Sequence, residues 1–493
     1  MAATALVFLL ITSLFIPSYT QDIQSPDQEA FISIVISQQG LDFLKNLLIT
    51  KAISSIIPLN LPRIEKTVKI PFLGNVHMRL SNITIYEIDV LSSFVKPGDT
   101  GVAIVASGAT CNLSMSWYYQ YSTWLLPVEI ADRGNASVQV EGMQVGLTLG
   151  LENQNGTLKL SLMDCGCYVK DISIKLDGGA SWLYQGMIDA FEGQIGAAVE
   201  NAITKKLGEG ILKLDSFLQA LPKEVPVDDN ASLNVTFVKD PSLSNSSIGF
   251  DISGLFTSRK KILVPANKYQ SSQPSVFCKD SSKMLGISLD EAVFNSASAL
   301  YYDAKFMQWI VDKIPDQYLL NTAGWRFIIP QLYRKYPNDD MNLNLSLSSP
   351  PIVKILENDI DATVYAELII DVLEADLVIP VACISLDIYG SGSVKISGNT
   401  LGGSLKLKDF SMSLKWSHIG NLRLYLIQPV IWTLIQTVFL PYANVHLAQG
   451  FPLPIVHGFT LKNAEIICSR SKITVCSDVE FTESQGLNQI MFN

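Results

Sequence analysis

Four histidines and seven cysteines are the side chains best suited to general-base, nucleophilic or metal chemistry in this 493-residue chain. His77, His418, His446 and His457 are spread along the sequence with no Glu partner at metal or triad spacing, so structural roles suit them better than catalysis. No Gly-x-Ser-x-Gly elbow, His-Glu-x-x-His helix or phosphate-binding Gly loop occurs. The chain is therefore read as non-catalytic, and a hydrolase built on an unrecognised Ser/His site around His418 or His457 is the remaining enzymatic reading. Cys165-Gly-Cys167 has one spacer and no acidic or His cluster beside it, which makes a zinc site weak and a bridge from either thiol to Cys111 the better expectation. Cys468 and Cys476 flank Ser469-Arg470-Ser471-Lys472, a turn between two apolar runs, which predicts a cross-strand disulfide. Seven cysteines permit three bridges and leave one thiol.

Such side chains act only where elements hold them, and composition limits those elements. The net charge of −10 disfavours nucleic acid, and 48% apolar against 17% charged residues excludes disorder and coiled coil. Residues 6–16 form an apolar run closed by Pro17, with small residues at 18–20, which predicts a signal peptide over 1–20 and secretion. Sequons at Asn82, Asn112, Asn135, Asn155, Asn230, Asn234, Asn245 and Asn344 fit a glycosylated, extracellular chain. No later apolar run is uninterrupted for a membrane span, because Leu422 to Val445 carries Arg423, two Gln, Pro429 and Pro441. The mature chain is expected to be soluble. Arg259-Lys260-Lys261, the strongest basic run, reads as a solvated loop.

Periodicity then supplies the architecture. Leu41, Leu44, Leu47 and Leu48 predict a helix over 39–57 that Pro58 stops. From Val68 to Leu176 the apolar residues alternate with period two, as in long antiparallel strands, with a turn at Asn153 to Gly156. Ile188, Phe191, Ile195, Val199 and Ile203 predict a long helix over 182–221, with four glycines against its straightness. Residues 223–283 read as a linker with some strand. The order then repeats: helix over 290–314, alternation over 341–416 with a bulge between Leu407 and Phe410, and an amphipathic helix over 424–447. A twisted sheet wrapped round a long helix makes a tube whose interior side chains need not fill, so a lipid-sized cavity is geometrically possible. Leu44, Leu48, Ile188, Phe191, Ile195 and Val199 are its candidate liners.

Four stretches carry a resemblance that spans nearly all of the mature chain. Ile36 to Phe43 resembles the N-terminal opening of the family of bactericidal permeability-increasing protein and lipopolysaccharide-binding protein, which also includes plasma lipid transfer proteins. Gln449-Gly-Phe-Pro-Leu-Pro454 is similar to its C-terminal segment, Leu285 to Asp290 with Phe294-Asn295 to the opening of its second domain, and Ser417 to Gly420 to the approach to its last helix. The sequons and cysteines look like the plant branch. The resemblance implies an α+β fold of two pseudo-symmetric elongated tubular domains, each a long helix wrapped by a highly twisted antiparallel sheet, joined in a boomerang by a central sheet. The expected division is an N-terminal tube over 21–222, a linker and central-sheet segment over 223–283, and a C-terminal tube over 284–493.

The resemblance further implies bound phospholipid, no other cofactor, no metal, and recognition of lipopolysaccharide through lipid A at a basic tip. Here the sequence departs from the family. The stretch Cys111 to Val128, similar to the tip hairpin, has no Lys or Arg and instead carries Trp117, Tyr118, Tyr119, Tyr121 and Trp124. Such aromatics suit a membrane interface or a packed strand pair. Arg63, Lys66 and Lys69 are the nearby cations left for a headgroup. The family's bridge between N-terminal sheet and helix has no counterpart, since no cysteine lies between Cys167 and Cys278. The expected function is a secreted, lipopolysaccharide- or amphiphile-binding protein of innate defence that meets membrane surfaces or lipid aggregates. The alternative is a phospholipid carrier without a microbial role.

Overall fold

Long strands of alternating polarity can bury one face only by curling it round something apolar, and this chain does so twice. The computed structural model describes residues 29–70, 74–122, 128–176, 181–259, 269–270, 278, 282–313, 317–375 and 377–482. The expected signal segment, Trp124, Lys260 and Lys261 lie outside them. The first tube is an eight-stranded antiparallel sheet dominated by Gly74–Asp89, Gly101–Ser122 and Glu129–Gln154, hydrogen-bonded in that order. It curls round helix α1 (Gln38–Ile56) and helix α2 (Ser181–Gln219). At 1.5 Å per residue α2 is about 58 Å long. It stays continuous through its glycines. At Gly196 a Cβ would meet Ile172 Cδ1 at 3.2 Å, so the missing side chain admits the sheet close to the helix. Paired bulges, with Gly108 and Gly142 at positive φ, bend the two longest strands between Ala106 and Cys111.

The second tube is a seven-stranded sheet built on Asp340–Leu347, Asp359–Glu374, Leu377–Ser397 and Thr400–Ser417. The bulge expected between Leu407 and Phe410 is present: Leu407 faces Gly390, Asp409 faces Tyr389, and Lys408 is the extra residue. The helix expected over 290–314 is shorter. Helix α3 (Glu291–Asp303) ends where Lys305 takes φ +59°, and Gln308–Val311, with its Trp-Ile-Val run, becomes an edge strand. Short helix α4 (Pro330–Lys335) closes the far end. Helix α5 (Leu424–Gln449) follows, with a π-helical turn at Ile435–Phe439.

A six-stranded central sheet joins the halves. Strand Ile32–Ser37 lies between Ser247–Ile252 and Leu285–Asp290, and Lys472–Phe481 pairs beyond. Both middle strands run straight into a helix through a capping side chain. Ser37 accepts from Gly40 N before α1, and Asp290 accepts from Ala292 N before α3. The two strand-cap-helix units are antiparallel, with Ile34 opposite Ile287. The sheets thus interleave the chain, so Ile32–Ser37 and Phe459–Ser469 belong to the centre and not to the tubes that flank them in sequence.

The cysteine expectations need correction. Cys476 bonds Cys278, with Cα atoms 5.8 Å apart, and Cys468 remains a thiol. The hairpin itself forms, but its two-residue turn pairs Ser469 with Lys472, so Cys468 faces Ile473 while Cys476 faces Glu465. Three residues of strand, about 10 Å, separate the two sulfurs' positions. Cys111 and the pair Cys165 and Cys167 are likewise unbridged. Cys111 faces Val140 whereas Cys167 faces Val145 and Cys165 faces Leu147 on the far side of the same strand, so the thiols lie on non-adjacent strands and out of register.

Each curled sheet leaves edges, and helix side chains close them. On α2, Glu200 Oε1 accepts from Val169 N at 2.7 Å and Asp215 Oδ1 from Leu160 N at 2.8 Å. On α5, Asn444 Oδ1 accepts from Leu405 N at 2.7 Å while its Nδ2 donates to Leu405 O at 3.0 Å. Asp215→Ala or Asn444→Ala strips an edge amide of its acceptor and should each lower stability by about 1–3 kcal/mol, read as a reduced urea midpoint at unchanged slope.

Candidate functional site

The first tube holds two apolar cavities in line along α2. The inner one has about 90 Å³ of free space, below the roughly 300–1,000 Å³ typical of ligand sites. Its lining is entirely aliphatic or methionine, from α1 (Ile49, Ala52, Ile53, Ile56), α2 (Ile203, Leu207) and the sheet between Ile88 and Leu147. The distal one has about 20 Å³ of free space and is lined by Met78, Leu80, Met115, Trp117, Tyr118, Tyr119, Ile188 and Phe191, with Ile174 and Leu176. Between them Ile195 and Val199 are fully buried against Ile85, Leu113 and Val140. That layer is a plug of packed side chains.

The six candidate liners therefore divide. Ile188 and Phe191 line the distal cavity, while Ile195 and Val199 fill the plug. Leu44 and Leu48 line neither, because α1 reaches the inner cavity only with its last two turns. Sequence reasoning missed Ile49, Ile53 and Ile56, although they continue the same helical apolar spacing toward Pro58.

The aromatic stretch is also placed differently from a membrane tip. Trp117 and Tyr119 are buried and point into the tube, because period two puts 117, 119 and 121 on the inner face. They form a stack, Trp117 to Tyr119 at 5.8 Å and Tyr119 to Tyr121 at 6.2 Å, and Trp117 Nε1 donates to Asn135 O at 3.0 Å. At Gly134 a Cβ would lie 2.5 Å from the indole, so only glycine admits Trp117 there. Lys66 is likewise turned inward and donates to Ala190 O on α2 at 2.8 Å, which removes it from a headgroup role. Arg63 is paired with Glu65, and Lys69 is exposed.

The outer face carries cations that spacing alone did not reveal. Arg79 and Arg133 flank Tyr118 in register on neighbouring strands. The Arg79 guanidinium lies 5.2 Å from the Tyr118 ring centroid, and its Nε is 3.3 Å from Glu65 Oε1. Arg63, Lys69, Arg79 and Arg133, with Glu65 among them, share the outer face over the distal cavity. The sequon asparagines Asn82, Asn135, Asn155 and Asn245 are exposed, and Asn112, Asn230, Asn234 and Asn344 are half-buried. Among the described residues no group of His, Cys, Asp and Glu is arranged to hold a metal.

Burial pushes the Cys111 thiol from the ordinary value of 9.0 up to about 12. Cys167 is raised to about 12 too, first by burial and then by Glu200 and the neighbouring thiols. A folded thiol that holds its proton more tightly than the unfolded one favours the native state fully below pH 9, and that contribution is lost as pH rises toward 12. Cys111→Ala should accordingly flatten the fall in stability between pH 9 and 12 relative to the native sequence, measured by urea denaturation at each pH.

Comparisons place this geometry among known proteins. Family models for the N-terminal and C-terminal domains of the LBP / BPI / CETP family match residues 40–221 and 226–481. An Arabidopsis thaliana BPI/LBP family protein is 65% identical over 97% of this chain and 97% of its own length. Bactericidal permeability-increasing protein of Sebastes schlegelii is 25% identical over 92% of this chain and 95% of its own. Human lipopolysaccharide-binding protein is 23% identical, covering 85% and 87%. The crystal structure of lipopolysaccharide binding protein shares the fold, with a TM-score of 0.64 at 19% identity over 92% of this chain and 100% of that one. With both domain models matched in order and a relative alike from end to end, the chain belongs to the LBP/BPI/CETP family.

Proposed function

We propose that this protein is a secreted, glycosylated, non-catalytic lipid binder that takes an acyl chain into the first tube and recognises lipopolysaccharide, through lipid A, or a related amphiphile in innate defence. The inner cavity carries this reading: a lining without a polar side chain offers nothing to a polar ligand and suits a hydrocarbon, which its about 90 Å³ of free space admits as the surrounding side chains move apart. Burying one CH₂ is worth about 0.8 kcal/mol, so a chain of about 16 carbons gains about 12 kcal/mol and gives back a similar amount on leaving a bilayer. Exchange is then nearly neutral, and choice among lipids falls to the headgroup. The names of the animal relatives supply the lipopolysaccharide part of the proposal.

A second reading, a phospholipid carrier with no microbial role, is favoured by a specific observation. The tip strand Gly101–Ser122 has no Lys or Arg, and Lys66 faces inward, so the outer cations over the distal cavity reduce to Arg63, Lys69, Arg79 and Arg133, beside Glu65. Mass spectrometry of lipids extracted from the purified protein, followed by competition with lipopolysaccharide and with phospholipid vesicles, separates the two. Displacement of the bound lipid by lipid A is expected; phospholipid that lipid A does not displace makes the protein a carrier, and absence of lipid refutes both. Ala106→Trp, which fills the inner cavity from the sheet side, should at least halve the co-purified lipid while leaving circular dichroism unchanged.

A further inference from the structure

Surface helices of a water-soluble fold normally present charge to solvent, and α2 does so with Glu192, Glu200, Lys205, Lys206, Glu209 and Lys213. Helix α5 does not. From Leu424 to Leu461, 38 consecutive residues, the chain has no Asp, Glu, Lys or Arg, although 17% of the whole is charged. The helix spans 26 residues, its most apolar 18-residue window has mean hydropathy 1.4, and only 22% of that window is buried. The sequence reading discounted a span here because Arg423, Gln and Pro interrupt the run. Arg423 falls just before the helix, and both prolines are accommodated within it.

One side of α5 is fixed to the second tube. Ile427, Ile431, Leu434 and Ile435 enter its core, and Asn444 holds Leu405 through two hydrogen bonds. A helix pinned in this way belongs to the tube and does not cross a bilayer. Its other side exposes Tyr425 (66%), Val445 (62%) and Leu447, with Trp432 and Tyr442 partly exposed beside their ring contacts to Phe410 and Trp309, interspersed with Gln428, Thr433, Gln436 and Thr437. Trp and Tyr on an uncharged face with amide and hydroxyl groups match the chemistry of the bilayer interface, where amphipathic rings rest at headgroup level. No sequon follows Asn344, so no N-linked glycan is encoded anywhere on this segment.

We infer that the outer face of α5 docks on the surface of a zwitterionic phospholipid bilayer. Charge decides which surface. An anionic bilayer is bound through Lys and Arg, and this face has none, while the chain as a whole carries −10. A choline-type headgroup layer has no net charge to oppose. The inference goes beyond lipid carriage and does not depend on it, since docking uses the outside of the second tube and carriage the inside of the first.

The test is co-sedimentation of the full chain with phosphatidylcholine vesicles, with and without added phosphatidylglycerol. The native protein should bind phosphatidylcholine, with an affinity little changed by salt and no gain from the anionic lipid. Tyr425→Glu with Val445→Glu, both at exposed positions, should weaken binding at least tenfold. Tyr425→Ser with Val445→Ser should weaken it less, and circular dichroism verifies folding of both. Equal binding by the Glu double variant, or binding that requires phosphatidylglycerol, overturns the inference. So does a native dimer that the Glu variant splits, because a second copy would then cover the face. Lipid extracted from the same preparations reads the carriage proposal separately: absence of lipid refutes carriage and leaves the vesicle result to stand or fall alone.

Discussion

Everything in this fold depends on the need of open sheet edges for hydrogen-bond partners. A sheet curled far enough to hide one apolar face brings its two edges toward each other without pairing them, and each unpaired amide left inside would be costly. The helices solve this by side-chain chemistry. Carboxylates of Glu200 and Asp215 accept edge amides, Lys66 donates back to a helix carbonyl, and Asn444 does both at one residue. The helix in each tube is therefore a stave in its wall as well as an apolar filler. Trp309 of the edge strand packs edge-on to Tyr442 of α5 at 5.5 Å, which sets that helix between the two edges of the second sheet.

A wall of this construction explains why the first tube is partly empty. Strand length and bulge positions fix its girth, whereas filling depends on the side chains that α1 and α2 happen to send inward. Where α2 presents Ile195 and Val199 against Ile85 and Leu113, the bore is closed. Where the sheet offers Ala106 and Ala109, and α1 offers Ala52, it is not. Small residues opposite one another leave the inner cavity, and a stack of three aromatics on alternate positions bounds the distal one. The distinguishing feature of the second tube lies on its outside.

Much of this was legible in the sequence. Period-two alternation announced the long strands, 3-to-4 spacing announced α1 and α2 to within two residues, and a one-residue phase shift announced the bulge at Lys408. Local patterns report local geometry. What failed was whatever depends on register between distant strands. Arg79 and Arg133 meet over Tyr118 from positions 54 residues apart, and no spacing rule reveals that. Cys476, opposite Gly286 in the central sheet, bonds Cys278, 198 positions away and outside any strand, and not the cysteine across the nearby turn. The stretch 117 to 121 showed its composition plainly but not which alternate set would face inward, and that choice decided between an anchor and a packed strand pair in favour of a cavity wall.

The position of Ile32–Ser37 in the middle of the central sheet has a consequence for how the chain comes together in time. This strand is made before the other described strands, yet one of its neighbours, Leu285–Asp290, is made some 250 residues later, and Lys472–Phe481 beyond it later still. The earliest segment must therefore wait with unmatched amides through most of translation. Contacts of such long sequence separation form slowly and leave sheet edges exposed meanwhile. The strands of each tube are contiguous in sequence, but the central sheet between them is completed late and is locked when Cys476 reaches Cys278. A chain of this design calls for protection during synthesis and rewards a compartment that both shields edges and oxidises thiols.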